Sequence, residues 1–65
     1  MNKDNEVWEV EIRSEEYEHD VRTLRVFAHG AGEAEKKAIS LVKKDDKDFE
    51  KPYCRSASFL FYIAG

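Results

Sequence analysis

Three side chains in this sequence could bind a soft metal ion or act as a strong nucleophile: His19, His29 and Cys54. A metal site needs several ligands close together, but the predicted strand between the two histidines keeps them roughly 30 Å apart. Cys54 lies beside Arg55, which could lower its pKa slightly, yet no histidine is placed to activate it. We therefore predict no metal site, and we expect Cys54 to be a small half-buried strand residue.

The carboxylates are abundant but lack the surroundings that acid–base chemistry requires. The segment "SEEYEHD", residues 14–20, places Glu15, Glu16, Glu18 and Asp20 around Tyr17. General acid–base catalysis needs a cleft that pushes two pKa values apart, and a hairpin tip in water does not provide one. The run "DDKD" lacks the glycine and final glutamate of a calcium loop, and "HGAG" has too few glycines for a nucleotide fingerprint. We therefore predict a protein that is not an enzyme and has no cofactor.

Length and charge narrow the class of protein. A chain of 65 residues is expected to form one domain, residues 1–65, near the lower size limit for unaided folding. Residues 1–20 carry eight acids and two bases, whereas residues 21–65 carry six acids and nine bases, so the net charge of −3 divides into −6 and +3. One cysteine, no apolar leader and no long apolar run favour a cytoplasmic protein.

The hydropathy pattern predicts four elements. Alternation of apolar and charged residues indicates strands at about residues 6–14 and 21–29, and aromatic and β-branched residues indicate a third strand at about 54–63. Between them, apolar residues recur at helical spacing over about 31–44, with Gly30 as N-cap and Glu33 in the first turn. The order is β-β-α-β. We predict an α+β fold with a three-stranded, mainly antiparallel sheet and one amphipathic helix packed on one face.

Side-chain faces follow from the same alternation. Pairing Val10 with Val26 and Ile12 with Leu24 puts both apolar faces on one side and sets Glu11 opposite Arg25. The predicted core also takes in Trp8 of the first strand, the helix stripe and apolar residues of the third strand. The stripe and third-strand residues are Ala34, Ala38, Leu41, Val42, Phe59, Phe61 and Ile63.

Two surfaces outside the predicted core are candidates for binding. The sheet face away from the helix would carry Val7, Phe27, Leu60 and Tyr62, which could form a homodimer contact. The alternatives to such a contact are ordinary exposure of these four residues or their partial cover by the 45–53 loop. Phe49 and Tyr53 of that loop could fold over a sheet edge. The helix also has a lysine-rich face, but a pI of about 5.3 disfavours nucleic-acid binding and favours a solvated face.

The acidic tip is the predicted connection between the first two strands, residues 15–20. It is the first candidate for a partner-binding site. Its carboxylates and Tyr17 suit a basic groove on another protein, of the kind that holds nucleic acid, because complementary charge speeds association and sets orientation. The alternative is a merely soluble loop. Arg25 and Arg55 complete the predicted partner-binding set: Glu15, Glu16, Tyr17, Glu18, Asp20, Arg25 and Arg55.

Parts of the chain resemble the very small inhibitor of host RNA polymerase found in podovirus-type coliphages. The resemblance covers about residues 7–42 and rests on "VWEVEIRSEE" and "VFAHGAGEAEKKA", with these matching residues: Trp8, Val10, Ser14, Glu15, Ala28, Glu33, Ala34 and Ala38. It implies phage origin, a location in the host cell cytoplasm and inhibition of a host protein, with RNA polymerase as the first candidate. Arginines on the family's final strand contact the polymerase jaw, whereas only Arg55 stands there in this chain. The resemblance is therefore equally compatible with another host nuclease, helicase or defence protein.

Overall fold

A computed structural model describes residues 6–63, in which three strands and one helix follow the predicted order. The elements are β1 (Glu6–Ser14), β2 (Val21–Ala28), α1 (Ala31–Asp45) and β3 (Pro52–Tyr62). The strands lie in the order β2-β1-β3, and β1 pairs antiparallel with both neighbours. The predicted α+β fold is confirmed. Lys3 and Asp4, which belong to the predicted acidic end, lie outside the described residues.

The helix begins and ends where the local sequence requires. Gly30 has φ of 113°, a backbone conformation that residues with a Cβ rarely adopt. Glu33 lies in the first turn and accepts a hydrogen bond from the His29 N–H at 3.1 Å, next to the positive end of the helix dipole. At the other end, the Asp46 N–H donates to the Val42 carbonyl. No helix among residues 6–63 is long and apolar enough to span a bilayer.

The core lies between α1 and the sheet. It contains buried residues from β1, β2, α1 and the loop before β3: Val10, Ile12, Val26, Ala28, Ala34, Ala38, Val42 and Phe49. Trp8, Leu24 and Ala57 pack against this cluster while partly exposed. The prediction was wrong for Leu41, which is 42% exposed at the edge of the helix stripe.

The register of the β1–β2 hairpin differs from the prediction by two residues. Val10 lies opposite Leu24 and Ile12 opposite Arg22. A shift of two keeps every side chain on its predicted face, because the side-chain period of a strand is two. The predicted cross-strand charge pair is therefore replaced by Glu9 and Arg25, whose Oε2 and Nε atoms are 3.6 Å apart.

Strand β3 begins at Pro52, two residues before the predicted start, and its faces were only partly predicted. Its register with β1 shifts between Val7 and Trp8 and again between Glu11 and Ile12. Each shift inserts an extra residue and interrupts the alternation of faces. Phe61 consequently pairs with Val7 on the face away from α1, and Phe59, Phe61 and Ile63 are each more than 40% exposed. Assigning these three to the core was wrong.

Candidate functional site

The acidic tip, residues 15–20, is held by a buried hydroxyl. Ser14, at the end of β1, is only 5% exposed. Its Oγ donates to the Glu50 carbonyl at 2.6 Å and accepts from the N–H groups of Glu16 and Tyr17 at 3.0 and 3.1 Å. One side chain thus satisfies two backbone donors of the turn and a carbonyl from a segment far along the chain, which orders the start of the tip.

Backbone hydrogen bonds complete the turn. The Ser14 N–H donates to the Asp20 carbonyl at 3.2 Å, and the Asp20 N–H donates to the Tyr17 carbonyl at 3.0 Å. The Glu15 N–H donates to the Lys51 carbonyl at 3.1 Å, and Lys51 has φ of 44°. Hydrogen bonds therefore hold the tip both within the turn and against the segment that precedes β3.

That segment, residues 46–51, is the supporting loop, and it is tied to the core. Phe49 is 5% exposed and belongs to the core cluster. Arg22 lies over its ring, 5.2 Å from the centroid, and also donates to Asp46 at 2.7 Å. Phe49 was expected to fold over a sheet edge, but the structure buries it in the core instead. Through this loop the position of the tip depends on core packing.

The tip presents its charged side chains to solvent. The side chains of Glu18 and His19 are 89% and 95% exposed, and Tyr17 is 55% exposed. Glu16 is partly neutralised by Lys51, since its Oε1 lies 3.6 Å from the Lys51 Nζ. The surface is thus acidic, with an exposed aromatic ring, on a backbone that is already ordered.

Tyr53 belongs to this surface, and the sequence reasoning did not assign it there. It lines a recess together with Ser14, Glu15, Glu16 and Glu18. The signal that could have found it is the pairing of β3 with β1, because Tyr53 lies opposite Arg13 at the tip end of β1. An aromatic residue there offers a partner both apolar area and a hydroxyl.

The two predicted arginines do not join the tip. Arg25 lies on β2 opposite Glu9. Arg55 lies on β3, at the register shift beside Glu11 and Ile12, with β1 between it and β2. The predicted partner-binding set is therefore divided among the tip and two different edge strands.

The predicted apolar cluster on the open sheet face also changes membership. Val7 lies between Phe27 and Phe61 and is only 6% exposed, whereas both phenylalanines are about half exposed. Leu60 lies at a register shift. Tyr62 pairs with Glu6 and packs against Phe59, with ring centroids 5.0 Å apart. The cluster of Val7, Phe27, Leu60 and Tyr62 is not formed, and a row of Val7, Phe27 and Phe61 takes its place.

Cys54 is in a setting that disfavours its reactive form. Burial raises the pKa of the Cys54 thiol, and the carboxylate of Glu35 raises it further. This direction is opposite to the effect expected from Arg55. The thiolate is the nucleophile and the metal ligand, so the surroundings of Cys54 favour a neutral thiol. Among residues 6–63, no three histidine, cysteine or acidic side chains are grouped to hold a metal ion.

Comparison with known proteins adds no assignment. No family model, curated protein or solved structure matches this chain significantly.

Proposed function

We propose that this protein is a protein-binding module whose acidic tip docks into a basic groove of a partner. The observation that carries the proposal is the ordering of the tip by the buried Ser14 hydroxyl and the supporting loop. A loop that served only solubility would not need these anchors. An ordered tip loses little conformational freedom on binding, so more of the interaction energy appears as affinity.

The charge of the tip favours a basic protein surface as the target. Glu15, Glu16, Glu18 and Asp20 repel phosphates and attract the lysines and arginines that line nucleic-acid channels. A domain that occupied such a channel would exclude nucleic acid from it. Inhibition is thus the simplest biological outcome of docking, and it requires no catalytic group on this chain.

The finer proposal is a phage-encoded inhibitor of a host nucleic-acid-processing protein, with RNA polymerase as the first candidate. Its support is the resemblance through the first strand and the start of the helix. The resemblance names a class of target, whereas the ordered acidic tip supports docking on any basic groove.

Affinity capture from nuclease-treated bacterial lysate tests the proposal. The parent protein is compared with a tip variant that carries Glu15→Gln, Glu16→Gln, Glu18→Gln and Asp20→Asn. A matched control neutralises four other acids: Glu35→Gln, Asp45→Asn, Asp48→Asn and Glu50→Gln. We expect the parent and the control to capture the same stoichiometric protein and the tip variant to lose it.

The mode of docking predicts how binding changes. Neutralising the tip should slow association with the captured partner and reduce the salt dependence of binding, because exposed charges act mainly through long-range attraction. Tyr17→Ala should raise Kd about fivefold or more if the ring is an anchor at the interface. Equal capture by the tip variant and the parent would refute the proposal, and transcription by purified RNA polymerase tests the named target separately.

Self-association is a second candidate, favoured by the exposed end of β3. Four large apolar residues at this end are at least 43% exposed: Phe59, Phe61 and Tyr62 on the edge strand β3, and Ile63 directly after it. A sheet edge with apolar side chains is a template for pairing. Light scattering over a dilution series, with Phe61→Glu as the disrupting variant, decides this. A monomer at all concentrations removes the candidate.

A further inference from the structure

A groove between β2 and α1 has the features of a site for an extended peptide. It has a volume of about 620 Å³ and is lined by residues from both elements, among them Arg25, Phe27, Lys36, Ser40, Leu41 and Lys44. Strand β2 is at the edge of the sheet. The groove thus has a backbone edge on one side and a helix with lysines on the other, and it is separate from the acidic tip.

Two residues of the β2 edge have backbone groups with no partner among residues 6–63: Arg25, which lines the groove, and Thr23, two residues before it on the same strand. In an antiparallel pair, successive residues direct their N–H and C=O groups alternately toward and away from the partner strand. The carbonyls of Val21 and Phe27 accept from the side chains of Arg22 and Lys37 instead of from β1. Thr23 and Arg25 have the same parity and therefore also direct their N–H and C=O groups away from β1.

The helix side of the groove has a spacing that an extended strand can match. Lys36 and Lys44 are eight residues apart on α1, which is about 12 Å along a helix, and Leu41 lies between them. In a strand, residues four apart lie on the same face about 13 Å apart, with a third residue between them. A peptide of the pattern acid-x-apolar-x-acid would place its acids near the two lysines and its apolar side chain near Leu41.

We propose that the groove binds an extended acidic peptide segment, which adds as a strand to the free edge of β2 under α1. The open backbone groups of Thr23 and Arg25 favour a peptide over nucleic acid, because only a peptide can continue the ladder of the sheet. The lysines and Arg25 select negative charge. Lys37, which ion-pairs with Glu33 and donates to the Phe27 carbonyl, closes the ladder at that end. The site is independent of the partner proposed for the tip.

The test is a titration followed by NMR, with the acetylated and amidated peptide ETLTE as the probe. We expect chemical-shift changes at the amides of Thr23 and Arg25 and slower hydrogen exchange there, because an added strand would protect both amides. The charge-reversed peptide KTLTK should give no change at these amides at the same concentration.

Two lysines on the same helix provide a matched pair of variants. Lys44→Glu places a carboxylate in the groove and should weaken ETLTE binding about fivefold, since an attraction between exposed charges becomes a repulsion. Lys43→Glu makes the same change outside the groove lining and should alter Kd less than twofold. Circular dichroism of both variants confirms that the fold is kept.

The other outcomes overturn the proposal. These are no shift at Thr23 and Arg25 with millimolar ETLTE, equal weakening by Lys43→Glu and Lys44→Glu, or binding of KTLTK as strong as that of ETLTE. Shifts in the groove with oligothymidylate but not with ETLTE would make the site a nucleic-acid site instead.

Discussion

Replacing Ser14 with alanine removes the hydroxyl that fastens the acidic tip to the supporting loop. The substitution leaves the Glu50 carbonyl without its 2.6 Å donor and the N–H groups of Glu16 and Tyr17 without their acceptor. A hydrogen bond contributes about 1 kcal/mol net, and more when a buried partner is left unpaired. The two tip amides belong to exposed residues and can bind water instead, so together they should cost about 1 kcal/mol.

The total loss in the free energy of unfolding is therefore about 2 kcal/mol. For a domain of this size, 1 kcal/mol corresponds to a shift in Tm of about 4–8 °C, so Ser14→Ala should lower Tm by about 8–16 °C. Urea denaturation followed by circular dichroism measures the free energy directly. Hydrogen exchange at Glu16 and Tyr17 should accelerate more than exchange in α1, because the tip loosens before the domain unfolds.

Ser58→Ala is the control, since Ser58 is an exposed serine on β3 opposite Glu9. It should change stability by less than about 0.5 kcal/mol, as substitutions at exposed sites usually do. The reasoning about the tip fails if Ser14→Ala stays within that same margin, or if exchange at Glu16 and Tyr17 is unchanged. Either result would mean that the turn is ordered without the hydroxyl.

Two further predictions concern Gly30 and Cys54. Gly30→Ala should lower the free energy of unfolding by about 1–3 kcal/mol, because the φ of 113° at this position is strained for any residue with a Cβ. Gly32→Ala has open space around the position and should stabilise α1 by about 0.5 kcal/mol. Thermal unfolding of both variants checks this, and a Gly30→Ala variant as stable as the parent would contradict it. The pKa of the Cys54 thiol is raised in the folded state. The stability that the protonated thiol contributes is therefore fully present below the pKa of the unfolded chain, and it is lost as the pH rises through the pKa of the folded protein. Alkylation of the folded protein by iodoacetamide should therefore begin at higher pH than alkylation of the denatured chain, and Glu35→Gln should move the onset back toward lower pH; identical pH profiles for the folded and denatured chains would refute the assignment.

The sequence was sufficient for features that depend on local pattern. Alternation located β1 and β2, helical spacing located α1, and the excess of carboxylates marked the tip. The register of β1 against β2 could not be predicted from this pattern, because a shift of two residues leaves every face unchanged. The pattern therefore allows Val10 to pair with Leu24 as readily as with Val26. The choice between the two depends on how the turn closes, and Ser14 bonds that turn to Glu50 across 36 residues of chain.

The faces of β3 could not be predicted for a different reason. Register shifts near Arg55 and Leu60 interrupt the alternation, and such irregularities arise from fitting one strand against another instead of from the strand's own sequence. Phe49 shows the same limit, since its place in the core requires the loop to turn back beneath the tip. The proposed binding surfaces depend on these tertiary arrangements, so the sequence pattern does not indicate that Tyr53 lies beside the tip or that Arg25 and Arg55 lie away from it.

The position of β1 in the middle of the sheet has a consequence for how the chain folds. β1 can pair with β2 through a short turn, but its other edge must wait for β3, which is separated from it by β2, α1 and the supporting loop. Closing that long loop costs entropy before the β1–β3 contacts compensate for it. We therefore expect the hairpin and α1 to form early and the docking of β3 to limit the folding rate. Until β3 docks, the free edge of β1 is exposed to pairing with other chains, so the yield of folded protein should fall as the concentration during refolding rises.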